Sequence, residues 1–298
     1  MPSDVLVRAI ARADDLRIVA AVTTDVVREA ARRHALRGTA AQVIGRAITS
    51  GLLLATMTKG EERVTLQLAG DGPLRSVTAD ANAAGEVRAY VARPDAELPP
   101  PEPAPHPRLG TAIGKQGLLT VVRDLGMREL YQGQVPLVSG EVDEDVEHYL
   151  RHSEQVPSAL SCEVVLDHDG GVVRAAGVLV QALPGAQSDV VERADANFQH
   201  GALYMLLDRD VDARQLVEAL SPSKPIEFLA DRPLRFRCTC SAERISNTLR
   251  MLSRRDLDEM IAEGQPASVT CNFCNTRHTV GLDELAKIRD GLPAPASN

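Results

Sequence analysis

Four of the five cysteines in this 298-residue chain fall in two tight pairs near its C-terminus. Cys238 and Cys240 form a C-x-C in "RFRCTCSAER", and Cys271 and Cys274 form a C-x-x-C in "VTCNFCNTRHTV". Each pair is a local chelate. Zinc in structural sites takes four ligands in a tetrahedron and favours thiolate sulfur at about 2.3 Å. A fold that brings the pairs together therefore makes a site for one Zn2+ per chain on Cys238, Cys240, Cys271 and Cys274. The same sulfurs suit redox chemistry, because a metal-bound thiol is already deprotonated and the thiolate is the form that oxidants attack. Few atoms separate the sulfurs within each pair, so each is poised to oxidise to itself once a metal leaves. Spacing alone fits a structural site, a sensor, or both.

Other uses of these residues fit less well. A redox-enzyme C-x-x-C normally opens a helix, whose N-terminus lowers the thiol pKa. Here "CNFC" lies between "ASVT" and "TRHTV", both strand-like, which argues against a thioredoxin-type site. His278 is near enough in sequence to serve as a ligand, but four thiolates already complete a tetrahedron. It is expected outside the ligand set. Cys162 sits in an apolar strand, where the default is a buried, inert thiol.

The elements around the pairs must hold them together. Thirty residues lie between Cys240 and Cys271. Among them Ile245, Leu249 and Leu252 share one helical face, and Leu257, Met260 and Ile261 share a second, ended by Gly264. So small a module buries too little apolar surface to stand alone, and a metal is a sensible staple.

Upstream, "LRIVAAV" (16–22) is strand-like, and "DVVREAARRHALRG" has helical spacing with Gly38 as its stop. A second helix is expected to open at Thr39 with Gln42 completing a capping box. Its apolar residues cover most of its circumference, so it should be buried. "RVTLQLAGDGPLRSVTADANAAGEVRAYV" alternates as an antiparallel meander, turning at Gly70-Asp71-Gly72. Residues 93–110 read as a proline-rich surface loop. The strand "LLTVVRDL" and a hairpin turning at Asp169-Gly170-Gly171 follow. Residues 188–208 and 211–220 read as two helices, and "SPSKP" breaks the pattern. The expected fold class is α+β. A core of antiparallel sheet and packed helices spans 1–185, a helical connector 186–231, and a small zinc-binding module 232–298.

Composition bounds the function. A net charge of -8 disfavours nucleic acid as the main partner, because such binding rests on a basic face. The N-terminus has no signal-type apolar region, and the run "VIGRAITSGLLLATM" is too short and too polar to span a bilayer. The chain reads as cytoplasmic with no membrane partner, a compartment where clustered cysteines are metal ligands or redox thiols rather than structural disulfides.

The C-x-C, the thirty-residue spacer and the C-x-x-C resemble the heat shock protein 33 family, the redox-regulated chaperonins. The likeness extends through "GRAITSGLLLATMTKGEERVTLQLAGDGPLRSV", "LLTVVRDLG", "YQGQVPLVSGEVDEDVEHYLRHSEQVPSAL" and "GVLVQALPGA", covering nearly the whole chain. One departure is Asn275, where the family commonly has Gly, although Asn also tolerates left-handed dihedrals. The resemblance implies a holdase that is inactive when reduced and zinc-bound. Oxidation would form Cys238–Cys240 and Cys271–Cys274 disulfides and release zinc. The module and connector would then unfold, homodimers would form, and unfolding client polypeptides would be held until ATP-dependent foldase chaperones accept them. The expected client-binding residues are the connector's Phe198, Leu203, Leu206, Leu216, Val217 and Leu220. The competing reading is a constitutive zinc-ribbon adaptor. An enzyme is not expected: "GTAIGKQ" has the wrong spacing for a phosphate loop, and no nucleophile elbow or metalloprotease helix is present.

Overall fold

The computed structural model describes residues 3–99, 107–126 and 130–292. Part of the expected proline-rich loop, 100–106, lies outside the described residues. The chain divides into two units, Met1–Arg237 and Cys238–Asn298.

In the first unit, strands β1 (Val5–Ala11) and β2 (Leu16–Val22) precede helices α1 (Thr24–Arg33) and α2 (Gly38–Ala55). The meander β3 (Arg63–Ala69), β4 (Ser76–Asn82) and β5 (Glu86–Val91) leads to a short helix, α3 (Gly110–Ile113). Then come β6 (Leu118–Asp124), β7 (Tyr131–Pro136), α4 (Val142–His152) and the hairpin β8 (Ser158–Leu166) and β9 (Val172–Ala182). Three helices follow, α5 (Ser188–Gln199), α6 (Ala202–Leu207) and α7 (Ala213–Leu220), and then β10 (Glu227–Pro233) and β11 (Arg235–Phe236).

The strands form a five-stranded sheet in the order β10-β1-β2-β9-β8 and a six-stranded sheet in the order β11-β5-β4-β3-β6-β7. Pairing is antiparallel except between β11 and β5. Helix α2 packs on strands of both sheets, and every residue from Thr39 to Ala55 is buried. That burial follows from a circumference of aliphatic and small side chains, which only a position between two layers can satisfy. The other face of the five-stranded sheet meets α5, α6 and α7. Strand β2 is apolar on both sides for this reason. Among the described residues no helix is long and apolar enough to cross a membrane.

Three local expectations are corrected. Helix α2 starts at Gly38 with Arg37 as its N-cap and has no capping box. Thr39 instead donates to the Pro99 carbonyl at 3.0 Å and Gln42 to that of Val164 at 3.2 Å, so packing claims both side chains. The span 188–208 is two helices rather than one, because Gly201 adopts φ +73 and breaks it. Strands β10 and β11 lie where no alternation signals strand: β10 is a largely exposed edge.

Arg46 of α2 is a buried cation that the sequence pattern does not reveal. It is 1% exposed and faces Glu141 at 3.2 Å, Glu163 at 3.4 Å and Asp143 at 3.5 Å. Glu141 also accepts the backbone N–H groups of Leu109 and Gly110. One buried charge thus ties α2, α4, β8 and the 107–110 segment together. Cys162 lies in the same interior, fully buried, with Sγ 3.3 Å from Ser50 Oγ. Burial first, then the charge of Asp143, raises its pKa far above the ordinary thiol range, which disfavours the reactive thiolate.

Candidate metal centre

The second unit is built from α8 (Ala242–Leu249), α9 (Arg254–Ala262), the hairpin β12 (Ala267–Thr270) and β13 (Arg277–Val280), and α10 (Leu282–Asp290). Ser241 caps α8 by accepting the Arg244 N–H, and Ser253 forms a capping box with Asp256 at the start of α9. Its core is Ile245, Leu249, Leu257, Val280, Leu285 and Ile288. That is a small apolar core for the unit, and a bound metal would add to its stability.

The four expected cysteines come together. Cys238 and Cys240 directly precede α8, while Cys271 and Cys274 occupy the turn between β12 and β13. All four Sγ atoms lie within 4.8 Å of one another and could hold a metal ion. Two of the spacings cross the motifs: Cys238 to Cys271 is 3.7 Å and Cys240 to Cys274 is 3.4 Å. A tetrahedron with metal–sulfur distances of about 2.3 Å has edges of about 3.8 Å, so these spacings fit that donor set. The turn is shaped for the task. Cys271 N–H donates to the Thr276 carbonyl at 3.0 Å, Asn275 N–H donates to the Cys271 carbonyl at 2.8 Å, and Asn275 sits at φ +56. Asn supplies the left-handed residue in place of Gly.

The four packed thiols shift one another's ionisation. Burial, then the neighbouring thiols of Cys274 and Cys238, push the Cys240 thiol well up. Burial also raises Cys271, although backbone N–H groups of Cys274 and Phe273 oppose it. Burial disfavours the Cys274 thiolate too, but Thr276 and the thiols of Cys240 and Cys238 outweigh it and bring that group down to about 7. Packed thiols share their ionisation, and a divalent cation among them removes the conflict.

His278 is not one of the four clustered donors but touches them: its Nε2 lies 3.4 Å from Cys240 Sγ. Thr276 Oγ1 lies 3.3 Å from Cys274 Sγ. Sequence reasoning does not single out Thr276, though its place two residues after a cysteine in a tight turn is a usable signal. The connector residues lie elsewhere. Phe198, Leu203, Leu216, Val217 and Leu220 are buried in a cluster with Val7, Ile18 and Val178 of the five-stranded sheet, and Leu206 packs against it half-buried.

A family model described as "Hsp33 protein" matches residues 4–281. The 33 kDa chaperonin of Bacillus subtilis (strain 168) is 37% identical over 288 residues, covering 96% of this chain and 98% of that protein. The 33 kDa chaperonin of Geobacillus sp. (strain WCH70) is 35% identical over 290 residues, covering 96% and 97%. The crystal structure of the 33 kDa chaperonin (Heat shock protein 33 homolog) from Thermotoga maritima matches with a TM-score of 0.86 at 34% identity, covering 97% of this chain and 98% of that one.

Proposed function

The chain belongs to the Hsp33 family, and from that premise we propose that it is a cytoplasmic holdase switched on by oxidation. The observation that carries the reading is four clustered sulfurs in a unit with a sparse core of its own. In the reduced state Cys238, Cys240, Cys271 and Cys274 would hold one Zn2+. Such an ion supplies folding free energy and keeps the sulfurs as thiolates. Peroxide takes two electrons from each cysteine pair. Its O–O bond breaks to give two waters, and an S–S bond forms, Cys238–Cys240 in one pair and Cys271–Cys274 in the other. With its sulfurs bonded to each other the cluster no longer holds the ion, and the unit loses its staple.

The connector is the second element of the proposal, with 1–185 as the stable core, 186–231 as the connector and 232–298 as the metal module. The apolar faces of α5, α6 and α7 rest in a cluster separate from the one around α2. Helices this short are marginal without a packed face. Released, Phe198, Leu203, Leu206, Leu216, Val217 and Leu220 would offer apolar surface to unfolding client chains. They would also favour homodimers, before ATP-dependent foldases take the client over. Hydrogen exchange after oxidation should rise in α5–α7 and in the second unit and stay slow in β3–β5. Faster exchange in β3–β5 with a protected connector would contradict this placement.

Light scattering from a heat-unfolded client tests the function. The reduced, zinc-loaded protein should give no protection, and peroxide with mild heating should give it. Reductant plus zinc should remove it again. Equal protection in both states would leave a constitutive chaperone, and none in either would leave the zinc-ribbon adaptor.

A further inference from the structure

We infer that the first unit carries an anion site, shaped for a phosphoryl group on a small molecule, where the C-terminal end of α2 meets β1, β10 and the β4–β5 turn. A cavity of about 260 Å³ lies there. Arg8, Lys59 and Arg232 line it, and no carboxylate does. The register explains the convergence. Leu6 of β1 pairs with Arg232 of β10, and alternation places Arg8 on the same face as Leu6. That face points into the space between the sheets, where Leu6 and Leu52 form a buried apolar floor.

Elsewhere in this acidic unit several buried or half-buried arginines meet acids. Arg63 and Arg88 share Asp80, Arg123 meets Glu154, and Arg174 meets Asp210. Among the described residues no carboxylate lies within ion-pairing distance of the side chains of Arg8, Lys59 or Arg232. Glu62, three residues on, accepts the Lys59 backbone N–H at 2.8 Å. The negative end of α2 does not account for the three cations either. Its last carbonyls already accept backbone and hydroxyl groups of Thr56 and Thr58, and Arg17 donates to the Thr56 carbonyl at 3.0 Å. Arg17, which is not among the lining residues, thus serves the helix end. Burial, and after it the charge of Arg8, lowers its pKa to about 10.

Two guanidinium forks and an ammonium suit phosphate, which offers several oxygens and up to two charges, better than a carboxylate. The rim is open to a ligand. Gly60 has no neighbour where a side chain would begin, and Gly85, at φ +83, keeps the turn tight because a Cβ there would meet the Pro233 carbonyl at 2.4 Å. The apolar floor would take the carbon part of a phosphate ester.

The test is calorimetry on the reduced full-length protein with inorganic phosphate, phenyl phosphate and benzoate at constant ionic strength. Amide NMR on the same samples locates the binding. Both phosphates should bind more tightly than benzoate and shift the amides of Gly60 and Gly85. The combined Arg8→Gln and Arg232→Gln variant should bind about tenfold more weakly or worse. Lys59→Gln, on an exposed side chain, leaves the fold intact and should also weaken binding. Tighter binding of phenyl phosphate assigns an ester, and equal binding assigns free phosphate. No binding of either phosphate, amide shifts confined to other regions, or unchanged affinity in Lys59→Gln would overturn the site.

Discussion

Replacing Cys271 and Cys274 together by serine is expected to abolish metal binding and unfold the second unit while the first stays folded. The size of the effect follows from what else holds that unit. Its interior is Ile245, Leu249, Leu257, Val280, Leu285 and Ile288, with Leu252, Met260 and Ile261 only partly covered. Structural zinc in small modules supplies about 10–16 kcal/mol, more than such a core can replace. Elemental analysis of the reduced wild type should give one zinc per chain and the double variant none. Circular dichroism should lose the signal of α8, α9 and α10 alone. Cys162→Ser is the control: its thiol is buried beside Ser50 in the first unit and is not one of the four clustered sulfurs, so zinc occupancy should not change. Full occupancy in the double variant would sink the four-sulfur assignment.

In the first unit the buried cation Arg46 is a sensitive point. Arg46→Met keeps the bulk of the side chain but leaves Glu141, Asp143 and Glu163 buried without their cation. Removing one partner of a buried charge network costs about 3–5 kcal/mol, so the thermal midpoint of this unit should fall sharply. The deficit should be larger at neutral than at mildly acidic pH. Burial already holds the Glu141 carboxyl above its ordinary range even beside Arg46, the largest opposing influence. A carboxyl raised on folding favours the fold while protonated, below its unfolded pKa, and that contribution is lost as pH rises through the folded value. Taking Arg46 away raises it further and deepens the loss at neutral pH. Unchanged stability, or a deficit independent of pH, would contradict the role given to this network.

These two sites differ in how far the sequence discloses them. The cysteine cluster is legible because each pair is a local chelate, and only the meeting of the two pairs requires the fold. The burial of α2 is legible for a similar reason: apart from Gln42 and Arg46, residues 39–55 are apolar or small all round. Arg46 is not, since its partners stand 95 and 117 positions away and nothing local marks a cation as buried. The capping box at Thr39 fails because local chemistry loses to packing, which turns Gln42 toward the Val164 carbonyl. Strand β10 escapes notice because a polar edge strand with one partner, β1, carries no alternation. The convergence of Arg8 and Arg232 is hidden likewise, since it exists only in the register of β1 with that strand.

The central claim is that loss of the metal and gain of client binding are one event, transmitted from the cysteine unit to the connector. The most direct measurement follows zinc release, with a colorimetric chelator, and protection of an unfolding client together through one oxidation time course. The account predicts that protection rises with zinc release or just after it, and that both reverse on adding reductant and zinc. Protection that appears in full before any zinc leaves, or complete zinc release without protection, would contradict it.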